Sequence, residues 1–418
     1  MRIKMRSIFA ANLIQMWFVC VCSSILQRGC QIKVTDKFKP RQPLFLSSDL
    51  RHILLPKEGD GVINIAHGAQ IGVCCPEFCE MMECLGNTTY QTPDGTEMDL
   101  LDDFTCTSNF EPHILHTNTV CSNKGTLLRV GFDLFIAGAK KFRRLYDVCY
   151  DMEASNPIFV RHEFSKTNLK QQPNVDCPDN WKYRGYFGGI NANNRYTKRI
   201  AFDSLRVQLN RAKAEKLIDV NSAKKFLARG HLAPKGDFVF APKKLITCHL
   251  INAAPQWQSI NNGNWSNMED GIKKIVKNNP DYILEIFTGT FGIFAYDNVP
   301  LYLIPGNPDK IPIPKAFYKI IHVIQTDEWF VIVSVNNPYI KRESIENRIH
   351  GYTICNDICG QKYERYYKCD DKQKMEKSKK AEKAYIEAGY MYMCDLNDFL
   401  TGLRQHYQLE LNLNLSKK

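Results

Sequence analysis

Beyond residue 24, the 418-residue chain has no apolar run long enough to cross a bilayer, which leaves no later candidate for a membrane-spanning helix. It has no internal repeat and no glycine-rich or low-complexity bias. At 44% hydrophobic and 24% charged residues its composition is that of a globular protein. Its cysteines lack paired C-x-x-C spacing with histidines nearby, so the dense group Cys74, Cys75, Cys79 and Cys84 argues against a zinc site. Acid is also in short supply. With 44 Asp and Glu against 55 Lys and Arg, the formal charge is +11, the balance of a protein that meets a polyanion such as nucleic acid, a heparin-like glycan or a membrane surface.

At the N-terminus, Arg2, Lys4 and Arg6 precede an apolar run from Ile8 to Cys22, followed by Ser23 and Ser24. That order predicts a secretory signal peptide over residues 1–24. A signal anchor is the rival, but Asn12 and Gln15 interrupt the run and it is short for a span. Cleavage would remove three positive charges, leaving about +8, and would take Cys20 and Cys22 with it, leaving fourteen cysteines. In an oxidising compartment an even set of this size predicts disulfides, with pairing that sequence cannot assign. The sequons Asn87-Thr88-Thr89 and Asn414-Leu415-Ser416 agree with an extracellular glycoprotein.

The mature chain divides into a Cys-rich, turn-rich, mostly β region over 25–140, a larger α+β unit over 141–400 and a tail over 401–418. Strands are expected at "LYDVCYD", "FVRHEF", "KKLITCHLINA", "YILEIFTGTFGIF" and "WFVIVSVNN", joined mostly by long connections. Helices are expected at "FDSLRVQLNRAKAEKLI" and "GNWSNMEDGIKKIVKNN". Residues 360–385 read as a Lys-rich solvated insertion.

Two stretches carry chemistry. In "FLARGHLAPKGDFVF" strand alternation sets Leu227, Arg229 and His231 on one face and Phe226, Ala228, Gly230 and Leu232 on the other. A half-exposed edge strand would look the same, but the run follows ten basic residues between 195 and 229, set against Asp203, Glu215 and Asp219. In "INAAPQWQSINNGNWSNMEDGIKKIV" the chain turns at Asn252 and a helix begins near Asn261, with Trp265, Met268, Ile272, Ile275 and Val276 at helical spacing. Asn261 and Glu269 sit four residues either side of Trp265, on that same inward stripe. An amide and a carboxylate there suit an oxygen-preferring cation, or alternatively a helix cap and an ordinary polar residue at a core edge.

Taken together, "RGHLAP" and the later N-x-x-P-Q-x-x-x-x-N-x-x-x-W-x-x-x-E resemble the DNA/RNA non-specific endonucleases, the secreted ββα-metal nucleases, over roughly residues 145–400. "TGTFGIF", "IPIPKAFYKII" and "NNPY" resemble the arthropod branch, with its gut double-stranded-RNA nucleases and the salivary nuclease-like proteins of blood-feeding flies. The resemblance implies an α+β fold: an antiparallel sheet flanked by helices, with a ββα-metal core. It implies His231 as general base, Asn261 as the direct ligand of Mg²⁺ or Mn²⁺, and Glu269 as the carboxylate orienting metal-bound water. Arg229 and Asn252 would contact the phosphate, and Gln256, of the same supporting turn, would bind substrate with them. For a second phosphate-binding arginine Arg195 and Arg199 are the candidates. Such a set fits phosphodiester hydrolysis, which needs a base near neutral pH and a cation against developing charge.

The chain departs from the family pattern at Ala228, where bacterial members have aspartate, and at Gly236, where alanine is commoner. Asn264-Trp265-Ser266 is a formal sequon beside the proposed metal helix. The expected function is a secreted, sequence-non-specific endonuclease that cuts DNA or RNA, double-stranded by preference, to 5′-phosphate products, without stable membrane association. The alternative is a secreted nucleic-acid-binding protein of this fold that cleaves weakly. The basic excess and the Lys-rich insertion suit a binder.

Overall fold

The computed structural model describes residues 28–36, 41–100, 102–173, 175–183, 185–306, 309–347, 351–369 and 375–415. The expected signal peptide lies outside the described residues.

An eight-stranded, wholly antiparallel sheet is the frame. From one edge it runs Met391–Asp395, Glu328–Val335, Pro314–Val323, Ile283–Ile293, Asn156–Ser165, Ala139–Asp151, Gly125–Ile136 and His113–Ser122. Four of these strands follow one another as a meander. The turn at Ala137–Gly138 takes positive φ at both positions, 50° and 77°, the twist a tight hairpin needs. Of the expected strands, only Ala139–Asp151 and Asn156–Ser165 are joined by a short turn; the other connections between them are long, as expected. Residue 140 falls inside the strand Ala139–Asp151 and residue 400 inside the helix Leu396–Tyr407, so the sheet and its helical cover run through both expected boundaries.

Alternation splits the sheet's apolar residues between two cores. Phe317, Ile321 and Val323 belong to one; Tyr318 and Ile320 belong to the other, where Phe399 and Leu403 of the helix Leu396–Tyr407 cover them. After Ser165 the chain leaves the sheet, and it returns at Ile283 to pair beside the strand it left. Everything between packs on the first face. This excursion holds the helices Lys198–Leu209 and Arg211–Leu217, separated by Asn210 at φ 129°, where one continuous helix was expected. "KKLITCHLINA", expected as a strand, forms the helix Ala241–Ile246 and a 3-10 turn Leu250–Asn252. Pro242 in the helix's first turn and a capped turn at His249 outweigh the 246-248-250 alternation.

The Cys-rich region forms a five-stranded antiparallel sheet and a two-stranded one. All fourteen cysteines of the described residues are paired: Cys30–Cys84, Cys74–Cys79, Cys75–Cys106, Cys121–Cys149, Cys177–Cys248, Cys355–Cys394 and Cys359–Cys369. The dense group near residue 74 is a disulfide framework.

Most of the Lys-rich segment is solvent-exposed, but it also packs against the fold. Its helix Lys379–Glu387 buries Tyr385 and Ile386, and the backbone oxygen of Ala388 accepts from the Asn264 N–H at 2.9 Å. Gly271 also lies against the Tyr367 ring, where a Cβ would come within 2.8 Å. Lysine-rich spacing hid an apolar underside that buttresses the helix Asn264–Asn278.

Candidate active site

Leu227–His231 pairs antiparallel with Ala253–Trp257 as a two-stranded ribbon, and the long helix Asn264–Asn278 follows. Trp265, Met268, Ile272, Ile275 and Val276 are buried along one stripe of that helix and fix it to the sheet. The arrangement is ββα.

Ribbon register decides which side chains can meet. His231 faces Ala253 and Arg229 faces Pro255, whereas Ala228 faces Gln256 and Gly230 faces Ala254. Direct cross-strand partners share a face, so Gln256 lies on the side opposite Arg229 and His231. It is fully buried, and a Cβ on Gly230 would come within 2.6 Å of its Oε1. The expectation that Gln256 binds substrate is corrected: pleat direction puts it in the core.

His231 is half-buried beneath two covers. Its Nε2 lies 3.8 Å from the Sγ of Cys177, in the Cys177–Cys248 disulfide, and its ring centroid is 4.5 Å from that of Trp181. Burial, together with the cations Lys235 and Arg229, pushes its pKa down to about 3, so the imidazole is neutral across the neutral range. The grouping of Cys177, His231 and Cys248 is no metal site, because both sulfurs are bonded to each other.

Arg229 is half-buried against Trp181 and Tyr196, 5.5 Å and 5.9 Å from the ring centroids, and donates to the Asn193 carbonyl at 3.5 Å. Its Nε is shut from solvent with no hydrogen-bond partner among the described residues. Burial draws its pKa below the ordinary value, against the opposing pull of Tyr196 and Asp179.

Asn252 is completely buried. Its Oδ1 accepts from the Ala233 N–H at 2.8 Å, and its Nδ2 donates to the carbonyls of Ala233 at 3.0 Å and Thr247 at 2.9 Å. The amide therefore clamps the turn that follows His231.

Asn261 closes the short helix Gln258–Asn261, separated by Asn262 and Gly263 from the helix that carries Glu269, so the two do not share one helical stripe as expected. Its Nδ2 donates to Gln258 at 3.4 Å and Asn262 at 3.3 Å, while its Oδ1 accepts nothing among the described residues. Glu269 lies 3.7 Å from the Nζ of Lys319, and burial pushes its carboxyl up to about 7, partly offset by that lysine. An amide oxygen and a carboxylate oxygen are each hard donors of the kind that Mg²⁺ or Mn²⁺ prefers. Lys319 was missed from sequence, although a lysine inside "AFYKIIHVI" was the available signal.

Four of the ten basic residues of the run take ion pairs within the fold. Arg199 and Arg206 pair with Asp203, Arg211 with Glu215 and Lys213 with Asp297. Arg195, half-buried at the end of the short helix Ala192–Arg195, takes no ion pair among the described residues.

A family model for DNA/RNA non-specific endonucleases matches residues 123–398. The chain belongs to that family. It is similar to a salivary endonuclease of Lutzomyia longipalpis, 26% identical over 352 residues that cover 81% of this chain and 77% of the relative. A salivary endonuclease of Culex quinquefasciatus is 24% identical, with 72% of each chain covered. Salivary protein Tsal2A of Glossina morsitans morsitans is 21% identical across 91% of this chain and 93% of its own. The resemblance stated from "RGHLAP" and the Asn-Pro-Gln…Asn…Trp…Glu spacing is borne out at the level of the family, as are the α+β class and the mostly β N-terminal region.

Proposed function

We propose that this protein is a secreted endonuclease that hydrolyses phosphodiester bonds of DNA or RNA without sequence preference, leaving 5′-phosphates. The observation that carries the reading is geometric: His231 and Arg229 stand next to each other in one row of the rigid ribbon that leads into the helix bearing Glu269. His231 takes the proton of the attacking water. Arg229 supplies a guanidinium whose buried Nε still has a bond to make, suited to a phosphate oxygen. Asn261 and Glu269 would hold Mg²⁺ or Mn²⁺, Asn261 through its open amide oxygen and Glu269 through water. That ion would supply charge neutralisation at the phosphate. Asn252 acts through the backbone, fixing the turn after His231, and not by touching phosphate. Arg195 is the better candidate for a second phosphate contact, since Arg199 is already paired with Asp203.

Secretion is part of the proposal, supported by the residues 1–24, the disulfide framework and the salivary relatives. Among the described residues no helix is long and apolar enough to cross a membrane.

A second reading, a nucleic-acid-binding protein that cleaves weakly, draws on the disulfide and indole that crowd the His231 ring. Incubating the purified protein with plasmid DNA and with double-stranded RNA, in Mg²⁺ and in EDTA, separates the two. Metal-dependent cleavage supports the enzyme; retention of intact substrate in both conditions supports the binder.

A further inference from the structure

Lys319 lies in the middle of the strand Pro314–Val323, among the apolar residues Phe317, Ile320 and Ile321. Its side chain is 2% exposed. Burying an ammonium is costly unless oxygens replace its water, and a well-packed apolar side chain would serve the core at least as well. Something other than packing explains the charge.

Its partners lie on three separate elements. The Nζ donates to the Thr288 Oγ1 at 2.8 Å, across the strand pair, and lies 3.5 Å from the carbonyl of Leu232 and 3.7 Å from the Oε1 of Glu269. Leu232 directly follows His231, and Glu269 is on the long helix one turn beyond Trp265, over whose ring the ammonium sits at 5.0 Å. A single buried cation thus joins the sheet, the end of the His231 strand and the carboxylate of the helix.

We infer that Lys319 is a positioning residue of the active site, holding the Glu269 carboxylate and the His231 turn in fixed relation so that base and metal side stay aligned. The inference rests on the nuclease reading above. Displacements near 1 Å at a reacting centre are enough to cost about 10²-fold in rate.

The test uses the mature full-length protein and Lys319→Met, Glu269→Gln and the double variant. Two quantities are read: kcat and KM on a defined duplex with Mg²⁺, and Mn²⁺ affinity by calorimetry without nucleic acid. Lys319→Met should lower kcat at least about 10-fold with KM little changed, and should weaken Mn²⁺ binding several-fold because the carboxylate has lost its anchor. The double variant should be no slower than Glu269→Gln alone, as expected of residues acting through one another. Should Lys319→Met fail to fold, Thr288→Val, which removes one partner of the ammonium, should move both quantities the same way by less. Unchanged or tighter Mn²⁺ binding, the result for a cation that merely repels the metal, would overturn the inference, as would additive losses in the double variant. A wild type that neither cleaves nor binds Mn²⁺ would overturn the nuclease reading along with it. A wild type that does both, with Lys319→Met indistinguishable from it, would overturn this inference alone.

Discussion

The rings of Trp181 and His231 lie 4.5 Å apart, and Asn193 fixes the Trp181 backbone: its Oδ1 accepts from the backbone N–H at 3.0 Å and its Nδ2 donates to the backbone carbonyl at 2.6 Å. The carbonyl of Asn193 in turn receives Arg229. One buried asparagine therefore positions the cover of the imidazole and the neighbouring guanidinium together. The cover makes His231 neutral, and that has a thermodynamic signature.

His231 titrates near 6.5 when unfolded and near 3 when folded, so between those values the unfolded chain binds more protons. Its contribution is fully present above pH 6.5 and is lost as pH falls toward 3. The stability advantage of wild type over His231→Gln should be greatest at pH 7.5 and shrink by about 1–2 kcal/mol by pH 5. Urea midpoints at several pH values measure it, and an advantage that stays constant or grows on acidification contradicts it.

Asn252→Ala should destabilise by roughly 2–3 kcal/mol, because it strips buried backbone groups of Ala233 and Thr247 of their partner. It should lower kcat while nucleic-acid affinity stays near wild type. A selective loss of affinity with normal stability would restore Asn252 as a phosphate contact.

Gly230→Ala should cost about 1–3 kcal/mol, since the added methyl meets the Gln256 side chain and the Ala254 carbonyl. The strand that carries Arg229 and His231 would shift with it. Equal denaturant midpoints for variant and wild type would show that Gln256 moves aside freely.

Peptide mapping of the secreted protein should find glycan on Asn87, which is exposed, and none on Asn264. Asn264 is buried, with its Nδ2 donating to the carbonyls of Tyr385 at 3.2 Å and Gly389 at 2.8 Å. Glycan on Asn264 would mean that the Lys-rich segment does not pack there.

How much of this the sequence revealed follows from range. His231, Asn261 and Glu269 sit within one stretch of chain, so residue type and spacing, with the family resemblance they carry, marked them as candidates. The helix stripe from Trp265 to Val276 was legible for the same reason. Trp181, Asn193 and Lys319 reach the site from elsewhere, and no local pattern ties them to it. Gln256 was misread because its place in the motif says nothing of which face of the ribbon it takes; register with Ala228 decides that. The helix at Ala241–Ile246 was misread because alternating apolar residues fit a strand as well as a buried turn. In the Lys-rich segment composition marked the solvated face, while its many lysines masked buried residues such as Tyr366, Met375 and Tyr385 that anchor it.

The most direct test of the account is His231→Ala against wild type, with cleavage and equilibrium binding measured on the same duplex DNA and double-stranded RNA in Mg²⁺. Losing a positioned general base typically costs about 10²–10⁴-fold in rate. The account predicts a fall of at least about 10²-fold in cleavage with affinity nearly unchanged, since phosphate contacts come from arginine and lysine. Equally slow cleavage by both proteins, with both binding tightly, would contradict it and leave a nucleic-acid binder.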